Sequence, residues 1–211
     1  MEIVIASKNK GKIKEIRHFF SNSLLPQNIR EIKWLSFEDF IGFPDVDEGS
    51  KSFIENAKLK AQQIAEFTGK TALADDSGLE VDALGGNPGV TSSRYAGPDS
   101  TDEKNRKKLL SELREITLIK NRCARFKCMM ALCSPGNDFI NISEGVCEGK
   151  IGFTETGEKG FGYDSIFIPD GFERTMAELS NSEKNSISHR GKALEGLAKF
   201  LEKQNWRREE I

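Results

Sequence analysis

The stretch Ala72-Leu73-Ala74-Asp75-Asp76-Ser77-Gly78-Leu79-Glu80-Val81-Asp82-Ala83-Leu84-Gly85-Gly86-Asn87-Pro88-Gly89-Val90 decides the fold. It opens as a short apolar run, Thr71 to Ala74, which reads as a buried strand. It then breaks into two carboxylates, a hydroxyl and a glycine. A strand ending in Asp-Asp-Ser-Gly delivers charge to its C-terminal edge, where open α/β sheets bind ligands. Two adjacent carboxylates repel and call for a cation beside them. The same residues also form ordinary turns, so the stretch alone leaves site and turn both open. Gly85 to Gly89 is a sharp turn, because so much glycine permits positive φ.

The chain around it has 211 residues, enough for one domain or two small lobes with a sizeable core. Hydrophobic residues make up 37% and charged residues 30%, the balance of a soluble globular protein. The net charge of −2 supplies no global basic field, which argues against a nucleic-acid binder. No apolar stretch is long enough to span a membrane. The chain starts directly on a strand-like segment with no signal peptide, so a cytoplasmic protein is expected. Cys123, Cys128, Cys133 and Cys147 include no C-x-x-C pair, which argues against zinc.

Upstream, Glu2 to Ala6 is a strand that runs into Ser7-Lys8-Asn9-Lys10-Gly11-Lys12 and a helix from about Gly11 to Phe20. A strand, a small polar loop and a helix start make an anion site, because backbone N–H groups and the positive helix end coincide. Lys12 sits in the first turn, where a cation is unfavourable unless an anion is also there. The loop is not a phosphate-cradling G-x-x-x-x-G-K-[ST] loop. The nearest approach to one, Gly69-Lys70-Thr71, has Ile64 at the first glycine position. Ile29 to Ser36 reads as a second strand, and Pro44 to Gly49 as an acidic loop. Ser52 to Thr68 reads as a helix with Phe53, Ala57, Ile64 and Phe67 on one stripe. Lys60 falls inside that stripe, so it must snorkel or meet a buried anion, and Asn56 lies one turn before it.

Downstream, Thr101 to Ile116 reads as an amphipathic helix with a solvated lysine-rich face. Arg125 to Cys133 and Phe139 to Glu148 flank a turn as a long hairpin. Gly160-Phe161-Gly162-Tyr163-Asp164 presents an aromatic ring between glycines, available either to stack on something flat or to pack into a core. Ser165 to Ile168 reads as a strand. Ser180-Asn181-Ser182-Glu183 is a capping box. A last helix begins near His189 and Arg190, where N–H groups suit oxygen-rich groups. His18, the other histidine, falls on the first helix at the surface. Phosphates, Mg²⁺ and a flat base match this set of residues better than a peptide or a lipid does.

Five motifs together resemble those of the inosine triphosphate pyrophosphatase family, the house-cleaning dITP/XTP pyrophosphatases. They are Ser7-x-Asn9-x-x-Lys12, Phe53-Ile54-Glu55-Asn56-Ala57-x-x-Lys60-Ala61, Ala74-Asp75-Asp76-Ser77-Gly78-Leu79, Gly160-Phe161-Gly162-Tyr163-Asp164 and Ser188-His189-Arg190. The resemblance runs from Ile3 to about Leu201. It implies hydrolysis of ITP, dITP or XTP between the α- and β-phosphates, giving the monophosphate and pyrophosphate. It further implies that Ser7, Lys8, Asn9, Lys10, Gly11 and Lys12 hold the triphosphate with Lys60 assisting. Asp76 is implied as proton acceptor and Mg²⁺ ligand, with Glu48 as the second acidic ligand, Glu55 behind it and Asp75 in support. Ser77, Phe161, Gly162, Tyr163, Asp164, Lys184, His189 and Arg190 are implied around the nucleotide, Phe161 stacked on the base. Where the family has Thr-Gly-Asn this chain has Ser7-Lys8-Asn9, and Ser165 stands where proline often follows Tyr-Asp.

The expected fold is mixed α/β: a strongly twisted central sheet flanked by helices, in two lobes, the second over roughly 87–170, with the site in the cleft between them. A homodimer is implied by the resemblance, with no nucleic-acid and no membrane partner. A nucleotide-binding regulator that does not hydrolyse is the alternative from a different class. A pyrophosphatase for other bases, such as modified pyrimidines, is a third.

Overall fold

A computed structural model describes residues 1–46, 49, 52–136 and 138–203. Among these, the strands are β1 (Glu2–Ile5), β2 (Lys33–Leu35), β3 (Ala72–Val81), β4 (Cys123–Cys133), β5 (Phe139–Ile151) and β6 (Phe167–Pro169). The helices are α1 (Lys10–Phe20), α2 (Gln27–Arg30), α3 (Phe53–Thr68), α4 (Asp102–Glu112), α5 (Asn181–Ile187) and α6 (His189–Lys203). The six strands form one sheet in the order β2-β1-β3-β4-β5-β6. β1 pairs in parallel with β2 and with β3, whereas β5 and β6 are antiparallel, so the sheet is mixed as expected.

The chain divides into two compact units. The first is Met1–Asp76, Met129–Glu144 and Gly191–Ile211. Its core joins Val4 and Ala6 of β1, Ala72 and Ala74 of β3, Ala131 and Cys133 of β4, and Ala57, Ala61, Ile64 and Ala65 of α3. That α3 contact is mostly alanine, which lets helix and sheet approach closely. Phe67, expected on this stripe, is instead 45% exposed and meets Phe43 edge-on at 6.2 Å. α3 stops at Gly69, whose φ of 63° is the left-handed C-cap that glycine adopts without strain.

The second unit is Ser77–Cys128 and Gly145–Arg190. Leu79, Val81, Leu109, Leu113, Phe126, Tyr163, Phe167 and Met176 belong to its core. A buried guanidinium crosses the edge of this core. Arg122 donates to the carbonyls of Ile151 and Gly152 at 2.9 Å, and to those of Leu113 and Ile116 at 3.3 Å. Burial holds its pKa below the usual guanidinium value.

Several boundaries differ from the sequence reading. β3 does not end at Ala74 but continues through Asp75-Asp76-Ser77-Gly78 to Val81. It lies between β1 and β4 in the sheet; its rungs to β1 are at Ala72 and Leu73, and membership of the sheet overrides the turn preference of Asp, Ser and Gly beyond them. The carboxylates therefore sit mid-strand rather than at a strand end. Ile29 to Ser36 is not one strand. Pro26 precedes α2, the side chains of Gln27 and Glu31 bond one turn apart, and only Lys33–Leu35 pair with β1. Ser165 lies in a turn and the following strand is Phe167–Pro169, three residues paired to β5. α4 ends at Glu112 rather than Ile116. The Gly85 to Gly89 turn is present, with φ of 61°, 87° and 55° at Gly85, Gly86 and Gly89. No helix of the described residues is long and apolar enough to cross a membrane.

Candidate active site

In the first unit the site is built on three elements. The β1–α1 loop is closed by its own side chains. Asn9 N–H donates to Ser7 Oγ at 3.1 Å, and Asn9 Oδ1 accepts Lys12 N–H at 3.1 Å as the N-cap of α1. The Lys12 side chain meets an anion belonging to the protein: its Nζ lies 2.9 Å from Asp75 Oδ1, whose side chain is fully buried. That contact accounts for a cation in the first turn of a helix.

Asp76 is held on both oxygens by α3. Lys60 Nζ donates to Asp76 Oδ1 at 3.0 Å and to the carbonyl of Asp75 at 2.7 Å. Asn56 Nδ2 donates to Asp76 Oδ2 at 3.0 Å. Asn56 and Lys60 are one turn apart, so one helix face supplies both donors. The lysine in the apolar stripe therefore meets a buried anion. A buried carboxylate with no partner costs several kcal/mol, and pairing offsets that cost. The two lysines supply the cations that adjacent carboxylates require.

Lys8 and Lys10 of the same loop pair elsewhere. Lys8 pairs with Asp45 at 2.7 Å, and Lys10 comes within 3.9 Å of Glu38; both lysines are exposed. Glu48, expected as the second metal ligand, lies outside the described residues. Glu55 is exposed on α3. Among the described residues no group of three or more His, Cys, Asp or Glu side chains is arranged to hold a metal.

In the second unit the centre is Phe161. Asp164 Oδ2 accepts the N–H of Phe161 at 2.9 Å and the ammonium of Lys184 at 2.7 Å. Lys184 Nζ stands 5.1 Å from the Phe161 ring centroid, and the Arg190 guanidinium carbon 5.7 Å. Arg190 also donates to Ser77 Oγ at 3.2 Å. His189 stacks on Phe126 with centroids 4.7 Å apart, and is 5% exposed. Tyr163 is buried, donates to the carbonyl of Ser92 at 2.8 Å, and has its phenol pKa raised by that burial. The sequence motifs Gly160 to Asp164, Lys184, Ser77 and Arg190 thus meet through direct contacts.

Three contributors were not among the sequence candidates. Asn56 was visible as a neighbour of Lys60 on the helix. Asp102 Oδ2 accepts Gly162 N–H at 2.7 Å, and Arg106 donates to the Gly162 carbonyl at 2.8 Å. Their only sequence signal was spacing of four on α4.

The Ham1 family pattern matches residues 3–200. The chain belongs to the Ham1 family. A curated relative in Oceanobacillus iheyensis, named dITP/XTP pyrophosphatase, is 44% identical over 200 residues, spanning 95% of this chain and 98% of the relative. A relative of the same name in Geobacter sulfurreducens is 48% identical, over 94% and 96% of the two chains. Among solved structures, a HAM1 protein from Coxiella burnetii is 42% identical with a TM-score of 0.83, covering 96% of this chain and 99% of that one. The Staphylococcus aureus Ham1 protein is 40% identical with a TM-score of 0.82, covering 97% and 100%. The expected α/β fold and the family resemblance both agree with these Ham1 relatives.

Proposed function

We propose that this Ham1-family chain is a nucleoside triphosphate pyrophosphatase acting on non-standard purine nucleotides, ITP, dITP and XTP, with Mg²⁺. The observation that carries the reading is the buried Asp75–Asp76 pair on β3, gripped by Lys12, Lys60 and Asn56. A binding module has no need to bury two carboxylates against two lysines, whereas a hydrolase needs a fixed proton acceptor. The relatives named dITP/XTP pyrophosphatase support the substrate class.

In this reading Asp76 takes the proton of the attacking water. The water oxygen bonds to the α-phosphorus, the bond from that phosphorus to the bridging oxygen breaks, and pyrophosphate leaves with the nucleoside monophosphate as the other product. Asn56 and Lys60 keep the Asp76 carboxylate in one orientation for that transfer. Ser7, Asn9 and Lys12 meet the phosphates, where the start of α1 favours negative charge. Asp76 is a hard oxygen donor with about four lone-pair sites, and Mg²⁺ takes one or two such carboxylates together with substrate phosphates. Asp76 therefore fits the ion and would hold it, with Glu48 as the second ligand that the family resemblance implies. When bound, it would neutralise developing phosphate charge.

Phe161 stacks on the base, and Lys184, His189 and Arg190 supply donors to the 6-oxo group of hypoxanthine or xanthine. Adenine carries an amine there and would leave buried donors unpaired, which is strongly penalised. A homodimer, which light scattering on the purified protein tests, and a cytoplasmic location, which cell fractionation tests, complete the proposal.

Turnover of ITP with and without Mg²⁺ tests the proposal, with ATP and GTP as controls and Asp76→Asn alongside. The expected result is pyrophosphate from ITP, far slower from ATP and GTP, and lost in the variant. Phosphate instead of pyrophosphate would move the cleavage point. Binding of ITP with no product would favour a regulator.

A further inference from the structure

Helix α4 grips the peptide that follows Phe161. Asp102 Oδ2 accepts the Gly162 N–H at 2.7 Å, and Arg106 donates from its terminal nitrogen to the Gly162 carbonyl at 2.8 Å. The two residues are four apart, so one helix face holds both polar groups of a single glycine. Arg106 is itself fixed: its Nε donates to Glu155 Oε2 at 2.7 Å, and its side chain is only 17% exposed. Glu155 also accepts the Ser165 hydroxyl at 3.4 Å, beyond the loop on the far side.

The loop needs such anchors. Gly160 and Gly162 have φ of 79° and 62°, in the region that glycine enters freely and other residues enter at a cost. At Gly160 the requirement is also steric, because a Cβ would stand 2.1 Å from Asp164 Oδ2. With glycine on both sides, local backbone preference does not set the direction of the Phe161 ring. Hydrogen bonds to the backbone on each side do so instead. Asp164 supplies two: its carboxylate, already committed to Lys184, accepts the Phe161 N–H, and its own N–H donates to the Phe161 carbonyl at 3.2 Å. The other two come from α4.

We propose that Asp102 and Arg106 are positioning residues for Phe161, holding its ring in the orientation that receives the base. This rests on the reading of Phe161 as the base-stacking surface. Neither residue touches the substrate. Their effect is preorganisation: the loop is ordered before the nucleotide arrives, so binding does not have to order it. Base stacking is the same in ground state and transition state, so its loss appears in KM rather than kcat.

Asp102→Ala and Arg106→Met are expected to raise KM for ITP about tenfold each, with kcat within about twofold of the parent. Asp102→Asn keeps an acceptor oxygen and is expected to stay near the parent. Hydrogen exchange at the Gly162 amide is expected to speed up in Asp102→Ala and not in Asp102→Asn. Glu103→Ala removes an acid from the same first turn of α4, where Glu103 pairs with Lys107, and is expected to leave KM alone. Phe161→Ala run in parallel separates the two layers. If it leaves KM for ITP unchanged, base stacking falls and this inference with it. If it raises KM while Asp102→Ala and Arg106→Met lower only thermal stability, the inference alone falls.

Discussion

Lys60 Nζ stands 3.0 Å from Asp76 Oδ1, with the lysine side chain 9% exposed and the aspartate 6%. A pair so deeply buried is held by mutual need, since removing either charge strands the other. Lys60→Met is therefore expected to destabilise the fold by about 3–5 kcal/mol. Urea unfolding of the variant measures this, and a loss under about 1 kcal/mol would show that water reaches the pair. Asn56→Ala removes a neutral donor and is expected to cost about 1–2 kcal/mol with a drop in kcat.

The capping box of α5 makes the fold sensitive to acid. The N–H of Ser180, its hydroxyl, and the guanidinium of Arg174 hold the Glu183 carboxyl down from 4.5 to about 2. A lowered folded pKa means that the carboxylate stabilises the fold above about pH 4.5. That contribution fades as pH falls towards 2. The Tm difference between the parent and Glu183→Gln is expected to be constant from pH 5 to 7 and to shrink below pH 4.5. A difference that persists unchanged at pH 2.5 would remove Glu183 from the account.

Gly149 lets β6 pair closely with β5. A Cβ there would stand 2.4 Å from the Ile168 carbonyl oxygen and 2.7 Å from Phe167 Cζ. The oxygen belongs to the backbone of the paired strand and has nowhere to move. Gly149→Ala is expected to lose about 3 kcal/mol, at the upper end of overpacking costs. A Tm equal to the parent would contradict that contact.

Ser143 offers the opposite case. Its hydroxyl oxygen is buried without a hydrogen-bond partner, and its Cβ would stand 3.3 Å from a Cβ added at Gly196 of α6. Ser143→Ala removes an unsatisfied buried polar atom and keeps the Cβ that packs towards Gly196, and is expected to raise stability by about 1 kcal/mol. Chemical denaturation decides the sign.

The sequence marked candidate residues and fold class more sharply than it marked element boundaries. Local motifs single out Ser7, Asn9, Lys12, Lys60, Asp76, Phe161, Lys184 and Arg190, and the structure shows which of them touch one another. What Lys12 and Lys60 touch was not readable, because both partners lie on a strand far along the chain. The extent of β3 was misjudged for a related reason. Asp-Asp-Ser-Gly has the local preferences of a turn, yet it runs on as strand past the rungs to β1 at Ala72 and Leu73, in a β3 whose other neighbour is β4. Phe67 looked internal by periodicity, yet alanines take the contact with the sheet. Asp102 and Arg106 were hidden among the charges of α4, where a functional side chain and a solvated one have the same spelling.

Arg122 closes the second unit with carbonyls of Leu113, Ile116, Ile151 and Gly152. Each acceptor is an atom every amino acid possesses. The clasp is therefore indifferent to the side chains at those four positions, even where packing fixes them, as at Leu113 and Ile151, while the arginine has no substitute with the same reach. The asymmetry means that a substitution at position 122 undoes all four bonds at once, whereas none of the acceptors can be removed by changing a side chain.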